Sequence, residues 1–206
     1  MTRPPNTLLI NPTVTTRPRF PLSLLNLAAA LDRFGDSRIV DGNIDRDLVG
    51  ATMAAAGERH YDAVGIGIMG GPQVAPAIAV SKAIRERHPS MPIIWGGYFP
   101  TLYTDTTLAA PYVDYAVRGQ GKESLVELVS ALGRGGGDEA LARIGGLSWR
   151  RDGAIVHNPN RSFRHGDAAL ALPYEKLGDL DRYLASTFLG RRTAVHQASI
   201  GCRFRC

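Results

Sequence analysis

The sequence predicts an open, doubly wound α/β domain built on a mainly parallel five-stranded sheet. Five short runs of branched apolar residues recur along the chain, and segments with helical periodicity separate them. Continuous apolar runs of this kind are typical of parallel strands that helices cover on both faces. The repeated alternation of strand and helix indicates the same architecture.

The elements follow from local patterns. The five predicted strands are 8–11, 38–41, 63–68, 92–95 and 115–118. Between them, apolar residues recur three or four positions apart, a spacing that places them on one face of a helix. Three such stripes lie at 24–31, 74–84 and 125–132, and Gly35 follows the first as a predicted C-cap.

A different pattern follows the glycine-rich break at 133–137. Two alternating runs flank Asp152 and Gly153, which predicts a β-hairpin. A polar, proline-containing stretch over 158–182 is interpreted as a linker, and an alternating run at 194–200 predicts a further strand. We therefore expect one domain over 1–140, a hairpin and linker over 141–190, and the start of a second domain over 191–206.

Composition excludes several classes of protein. With 44% hydrophobic and 21% charged residues, the 206-residue chain has the makeup of a globular protein. It has no apolar run of the roughly 18 to 20 residues that span a bilayer and no secretory signal, which predicts a cytoplasmic location without a transmembrane segment. The net charge of +5 arises in the last third without a lysine-rich run, so no nucleic-acid partner is expected.

The only two cysteines, Cys202 and Cys206, stand in the last five residues. They cannot cross-link the body of the protein, and their spacing makes them candidate ligands of a metal ion or cluster. Two thiolates alone leave such a site incomplete.

Loops after the predicted strands are the candidate ligand site, because ligands of open α/β sheets bind at the carboxyl ends of the strands. Paired or closely spaced glycines follow three of these strands, at 70–71, 96–97 and 119–121. Glycine lets a backbone approach a large or extended ligand closely. The loop over 11–21 contains no glycine, which argues against a dinucleotide, and a phosphate-binding P-loop is absent.

These motifs resemble those of a known family. The carrying segments are Asn11-Pro12, Pro21-Leu22, Gly70-Gly-Pro-Gln73, Trp95-Gly-Gly-Tyr-Phe-Pro100, Arg118-Gly-Gln-Gly-Lys-Glu123 and Gly201-Cys-Arg-Phe-Arg-Cys206. Together they are similar to the cobalamin-binding radical S-adenosylmethionine enzymes, which include anaerobic magnesium-protoporphyrin ester cyclases and many methyltransferases. The last segment looks like the first two cysteines of the family's C-x-x-x-C-x-x-C motif.

The resemblance implies a flavodoxin-like or Rossmann-like cobalamin-binding domain, a hairpin linker and the first strand of a truncated radical barrel. It implies that Cys202 and Cys206 ligate a [4Fe-4S] cluster that, in a longer chain, binds S-adenosylmethionine. The expected cobalamin-binding residues are Asn11, Pro12, Asp41, Met69, Gly70, Gly71, Gln73, Gly96, Gly97, Tyr98, Thr101, Gly119, Gly121 and Glu123.

Departures from related motifs refine these expectations. The Asp-x-His-x-x-Gly motif that supplies a cobalt-ligating histidine is absent, so a cobalamin without a protein histidine ligand is expected. Met69, Gln73 and Tyr98 are candidates for the lower face of cobalt. Gln120 and Lys122 stand where the family often has acids, and only Glu123 keeps the carboxylate.

The expected partners are the cofactor, an unidentified small-molecule substrate and a reductant protein. No catalytic residue is predicted within these 206 residues, which are expected to be inactive alone as a fragment of a longer enzyme. Two alternatives are a stand-alone corrinoid carrier and a non-catalytic flavodoxin-like or receiver-type regulatory module. The receiver alternative requires a phosphoacceptor aspartate after the third strand, where Ile68-Met-Gly-Gly-Pro72 offers none.

Overall fold

A computed structural model describes residues 3–13, 15, 17–162 and 170–195. Its main sheet has seven strands in the order β2-β1-β3-β4-β5-β6-β7. The first five are mutually parallel, which confirms the predicted parallel sheet. They are β1 (Asn6–Asn11), β2 (Asp36–Asp41), β3 (Ala63–Gly67), β4 (Ile93–Gly96) and β5 (Tyr115–Val117).

Helices cover both faces of this sheet. Helices α1 (Leu22–Leu31) and α6 (Gly121–Gly133) pack on one face, and α2 (Leu48–Glu58) and α3 (Val74–Arg87) pack on the other. The prediction of a doubly wound domain is therefore confirmed. Three short helices complete the layers: α4 (Tyr98–Leu102), α5 (Thr104–Ala109) and α7 (Asp138–Leu141).

Burial on both sides of β1 shows why its sequence is continuously apolar. Leu8, Leu9 and Ile10 are each at most 1% exposed. Leu8 and Ile10 join the core beneath α2 and α3, whereas Leu9 joins the core beneath α1 and α6. Successive side chains of a strand point to opposite faces, so a central strand covered on both sides requires apolar residues at every position.

The predicted hairpin is present, but it extends the sheet instead of forming a linker. Strand β6 (Leu147–Arg151) pairs antiparallel with β5, and β7 (Ala154–His157) pairs with β6. The sheet thus has seven strands and not five. The physical reason is that β6 pairs with the backbone N–H and C=O groups that β5 would otherwise leave open at the edge of the sheet. It also buries Leu147 and Trp149 in the core beneath α1 and α6.

The chain after the hairpin packs back on the domain. Two short 3-10 helices, Tyr174–Leu177 and Leu180–Tyr183, precede a separate two-stranded sheet of β8 (Ala185–Thr187) and β9 (Gly190–Thr193). In the predicted strand over 194–200, Ala194 and Val195 are not in a strand, and the rest lies outside the described residues, as do Cys202 and Cys206. None of the helices in the described part of the chain is long and apolar enough to cross a membrane.

Candidate functional site

Strand order places a topological switch point, called here the crevice, at the carboxyl edge of the sheet. Strand β1 lies between β2 and β3, and the connections from β1 and β3 lead to helices on opposite faces. The loops that leave these two strands therefore diverge, as at the ligand-binding switch point of other doubly wound sheets. The crevice is bounded by the loops after Asn11 and after Gly67.

Two of the predicted site residues face each other beside this crevice. Asn11 Nδ2 donates to Asp41 Oδ1 at 2.7 Å, and the Asn43 backbone amide donates to the same oxygen at 3.0 Å. The hydroxyl of Tyr183 donates to Asp41 Oδ2 at 2.9 Å. Burial raises the pKa of the Asp41 carboxyl, although these hydrogen bonds oppose the increase. Asn11 and Asp41 are 7% and 4% exposed, so their buried hydrogen bond joins the carboxyl ends of β1 and β2.

A chain of side-chain hydrogen bonds continues from Asn11 across the crevice. Asn11 Oδ1 accepts from the hydroxyl of Thr13 at 2.8 Å. The Thr13 hydroxyl accepts in turn from Nε2 of Gln73, whose Oε1 accepts from the Met69 backbone amide at 2.6 Å. The Gln73 amide is therefore engaged at both ends, while the Met69 side chain is 66% exposed.

The glycines of the edge loops differ in what they permit. Gly97 has φ +99°, and a Cβ there would lie 2.7 Å from the Ile68 carbonyl oxygen, so this glycine allows two loops to cross. Gly71 and Gly119 have φ +56° and +67°, and a Cβ on either would meet no heavy atom within 4 Å. These two positions leave open space for an approaching molecule.

A second link joins the loops after β4 and β5. The Thr101 hydroxyl donates to the Gly97 carbonyl at 2.7 Å and accepts from the Gly119 amide at 2.9 Å. Glu123, at the start of α6, accepts from Arg161 Nη1 at 2.7 Å. Both predicted side chains are thus engaged with other parts of the protein at the sheet edge.

Large apolar side chains are exposed beside these loops. They belong to the segments after β3 and β4, and they are Met69 (66% exposed), Tyr98 (55%), Leu102 (55%) and Tyr103 (54%). Of the remaining predicted residues, Pro12 is buried, Gly70 has φ +118°, and Gly96 and Gly121 are partly buried.

Sequence reasoning missed one residue at this edge. Strand β7 runs parallel to β5, so its last residue, His157, reaches the carboxyl edge and lines a cleft of about 600 Å³ with Arg118. Only the pairing of the hairpin with β5 places it there, and no local pattern indicates that pairing.

His157 takes part in a serine, histidine and aspartate chain. Its Nδ1 lies 2.9 Å from Ser148 Oγ, and its Nε2 lies 3.1 Å from Asp105 Oδ1. The serine is fully buried and the aspartate side chain is 76% exposed. A nucleophilic triad needs an accessible serine and a buried aspartate, so these three residues do not form one.

Within the described ranges, no three or more histidine, cysteine, aspartate or glutamate side chains cluster to hold a metal ion. The two predicted cluster ligands lie outside those ranges.

Comparison with known proteins identifies similar chains. The family model described as "B12 binding domain" matches residues 16–129. An uncharacterized methyltransferase of Pyrococcus horikoshii is 30% identical over 194 residues, covering 93% of this chain and 40% of the relative. The anaerobic magnesium-protoporphyrin IX monomethyl ester cyclase of Synechocystis sp. is 28% identical over 193 residues, covering 90% and 37%. The chain thus spans less than half the length of these relatives.

Solved structures show the same architecture. The radical S-adenosylmethionine methyltransferase TsrM from Kitasatospora setae, with cobalamin and a [4Fe-4S] cluster bound, superposes with a TM-score of 0.65 at 26% identity. The match covers 77% of this chain and 31% of TsrM. The cobalamin-dependent S-adenosylmethionine radical enzyme OxsB, with aqua-cobalamin bound, gives a TM-score of 0.67 at 18% identity over 77% of this chain and 23% of OxsB, which shows a shared fold.

Proposed function

The chain belongs to the B12-binding domain family, and on that premise we propose that it holds cobalamin at the crevice between β1 and β3. The observation that carries this proposal is the switch point itself, where two loops diverge beside Gly71, a left-handed glycine with open space next to it. Such a crevice is the usual ligand site of a doubly wound sheet.

The residues at this edge fit the chemistry of the cofactor. Cobalamin is a broad macrocycle with amide side chains and a nucleotide tail, so it needs both apolar contact and close backbone approach. Met69 and Tyr98 offer exposed apolar surface, and Gly71 and Gly119 leave room at the backbone. When bound, cobalamin supplies a redox-active cobalt; the protein supplies shape, orientation and exclusion of water.

The proposed site holds the cofactor without a histidine ligand. The loops that follow β1 to β5 contain no histidine, and His157 lies at the end of β7, four strands from β3. Because the Gln73 amide is engaged with Thr13 and the Met69 amide, we assign the exposed Met69 and Tyr98 side chains as the nearer neighbours of the macrocycle.

We further propose that this unit serves a radical S-adenosylmethionine enzyme. The methyltransferase and cyclase relatives and the TsrM structure, which contains both cobalamin and a [4Fe-4S] cluster, support this assignment. In that enzyme Cys202 and Cys206 supply two thiolates of the cluster. Such a cluster would serve to bind S-adenosylmethionine, and the proposed substrate is a small molecule.

Reconstitution tests cobalamin binding directly. Purified protein is incubated with excess hydroxocobalamin, freed of unbound corrinoid by gel filtration, and measured for corrin absorbance that elutes with the protein. We expect close to one corrinoid per chain. If micromolar protein retains no corrinoid, the proposal is overturned.

A second measurement tests the absence of a histidine ligand. The electron paramagnetic resonance spectrum of the reduced, cobalt(II) form is compared between the native protein and His157→Ala. We expect identical spectra. A nitrogen splitting that disappears in the variant would show instead that His157 binds cobalt.

A further inference from the structure

The segment over 172–184, called here the connector, is anchored along β2. Lys176 Nζ lies 3.1 Å from an Asp32 carboxylate oxygen and 2.9 Å from Asp36 Oδ1. Arg182 Nη2 donates to the Ile44 carbonyl oxygen at 3.0 Å. The connector therefore follows the edge strand toward the carboxyl edge of the sheet, where the crevice opens.

The end of the connector inserts a tyrosine beside that crevice. Tyr183 is 4% exposed, and its ring stacks on Phe20 with centroids 5.1 Å apart and planes at 19°. Phe20 belongs to the loop that leaves β1. The Tyr183 hydroxyl donates to Asp41 at 2.9 Å, although 142 residues separate the two in sequence. Burial and the adjacent Asp41 carboxylate raise the pKa of Tyr183, which keeps the hydroxyl protonated as a donor.

An unbroken series of hydrogen bonds runs from Tyr183 of the connector to the Met69 amide, on the opposite side of the crevice. The donors on both branches point toward the Asp41 carboxylate, so each bond polarises the next in the same sense. One branch is the Tyr183 hydroxyl, and the other runs from the Met69 amide through Gln73, Thr13 and Asn11.

We propose that Tyr183 is a positioning residue for the cobalamin crevice, acting through Asp41 and the hydrogen-bonded branch that ends at the Met69 amide. The inference rests on the proposed function, since the crevice matters only if it holds the cofactor. Docking of the connector orders the loops on both sides of the switch point before cobalamin arrives. Linkage is reciprocal, so bound cobalamin also holds the connector in place.

Amide exchange in the cofactor-free protein tests the connection itself. Tyr183→Phe keeps the ring that stacks on Phe20 and removes only the hydroxyl. We expect exchange of the Met69 amide to accelerate by about tenfold, the effect of one lost hydrogen bond. The matched control is Tyr174→Phe, because Tyr174 packs edge-on against the same Phe20 at 5.0 Å and makes no hydrogen bond to Asp41. Unchanged exchange at Met69 in Tyr183→Phe would overturn the proposal.

Cobalamin affinity tests the consequence for binding. We expect Tyr183→Phe and Thr13→Val each to weaken hydroxocobalamin binding about tenfold, and the double variant to lose less than the product of the two, because both interrupt one network. Tyr174→Phe binds as the native protein does. Multiplicative losses, or native affinity in Tyr183→Phe, would overturn the positioning role.

The two proposals fail in different ways. If the native protein retains no hydroxocobalamin, cobalamin binding is overturned, and exchange at Met69 still decides whether Tyr183 controls the loop. If Tyr183→Phe does not fold, Thr13→Val is measured instead. The role of Tyr183 requires the branch through Thr13, so unchanged exchange at Met69 in Thr13→Val overturns that role.

Discussion

Two glycines in left-handed conformations distinguish a binding role from a folding role. Gly71, beside the crevice, has φ +56°, and Gly153, in the distant hairpin turn, has φ +81°; neither would place a Cβ within 4 Å of another heavy atom. Alanine in this backbone region costs about 1 kcal/mol. Gly71→Ala and Gly153→Ala should therefore lower the melting temperature by a similar amount, about 2 to 4 °C for a chain of this size.

Cobalamin affinity should separate the two variants. At Gly71 the added methyl group occupies space proposed for the cofactor, and we expect hydroxocobalamin to bind about tenfold more weakly, a loss of about 1.4 kcal/mol. Gly153→Ala should bind as the native protein does. Titration followed by corrin absorbance, with thermal unfolding of the same samples, measures both effects. Equal affinities for the two variants would refute the placement of cobalamin beside Gly71.

Two further predictions concern stability. Ser81 accepts a hydrogen bond from the buried Trp95 indole at 2.9 Å, so Ser81→Ala should lower the unfolding free energy in urea by about 1 to 3 kcal/mol; an unchanged midpoint would contradict this. Burial opposes ionisation of Asp36, but its hydrogen bonds to Lys176 and Arg59 outweigh that effect and lower its pKa to about 2. Ionised Asp36 should therefore stabilise the folded protein above pH 3.8, and this stabilisation should be lost as the pH falls toward 2. This contribution is below about 1 kcal/mol because the carboxylate is half-exposed, and Lys176→Met should reduce it, as urea unfolding across that pH window would show.

Local patterns were sufficient for the parallel part of the fold. Five apolar runs predicted β1 to β5, and three helical stripes predicted α1, α3 and α6, because burial on two faces, or on one helix face, leaves a periodic pattern in the sequence. No stripe was identified for α2. The hairpin left a periodic pattern as well. Its pairing with β5 did not, because the register that sets Tyr115 opposite Trp149 joins residues that are distant in the chain.

The candidate site shows the same division. The glycines of three edge loops were predictable as candidate ligand-contact positions, and the structure adds that Gly70, Gly71, Gly97 and Gly119 have positive φ. The cobalamin expectation came from motif resemblance and is confirmed by the family match. The roles of individual side chains were not predictable. Gln73 stays a candidate for the lower face of cobalt, and the hydrogen bond that its amide makes to Thr13, 60 residues away, has no local signal in the sequence.

By itself, the sequence determined the element types, the parallel sheet and the loops that meet at its carboxyl edge, because each depends on residues that are neighbours in the chain. The tertiary structure alone decided that the sheet has seven strands, that His157 reaches its carboxyl edge, and that the Tyr183 hydroxyl donates a hydrogen bond to Asp41. These features depend on which distant surfaces pack together. Such contacts are set by shape and hydrogen bonding in the folded chain, and they leave no periodic pattern in the sequence.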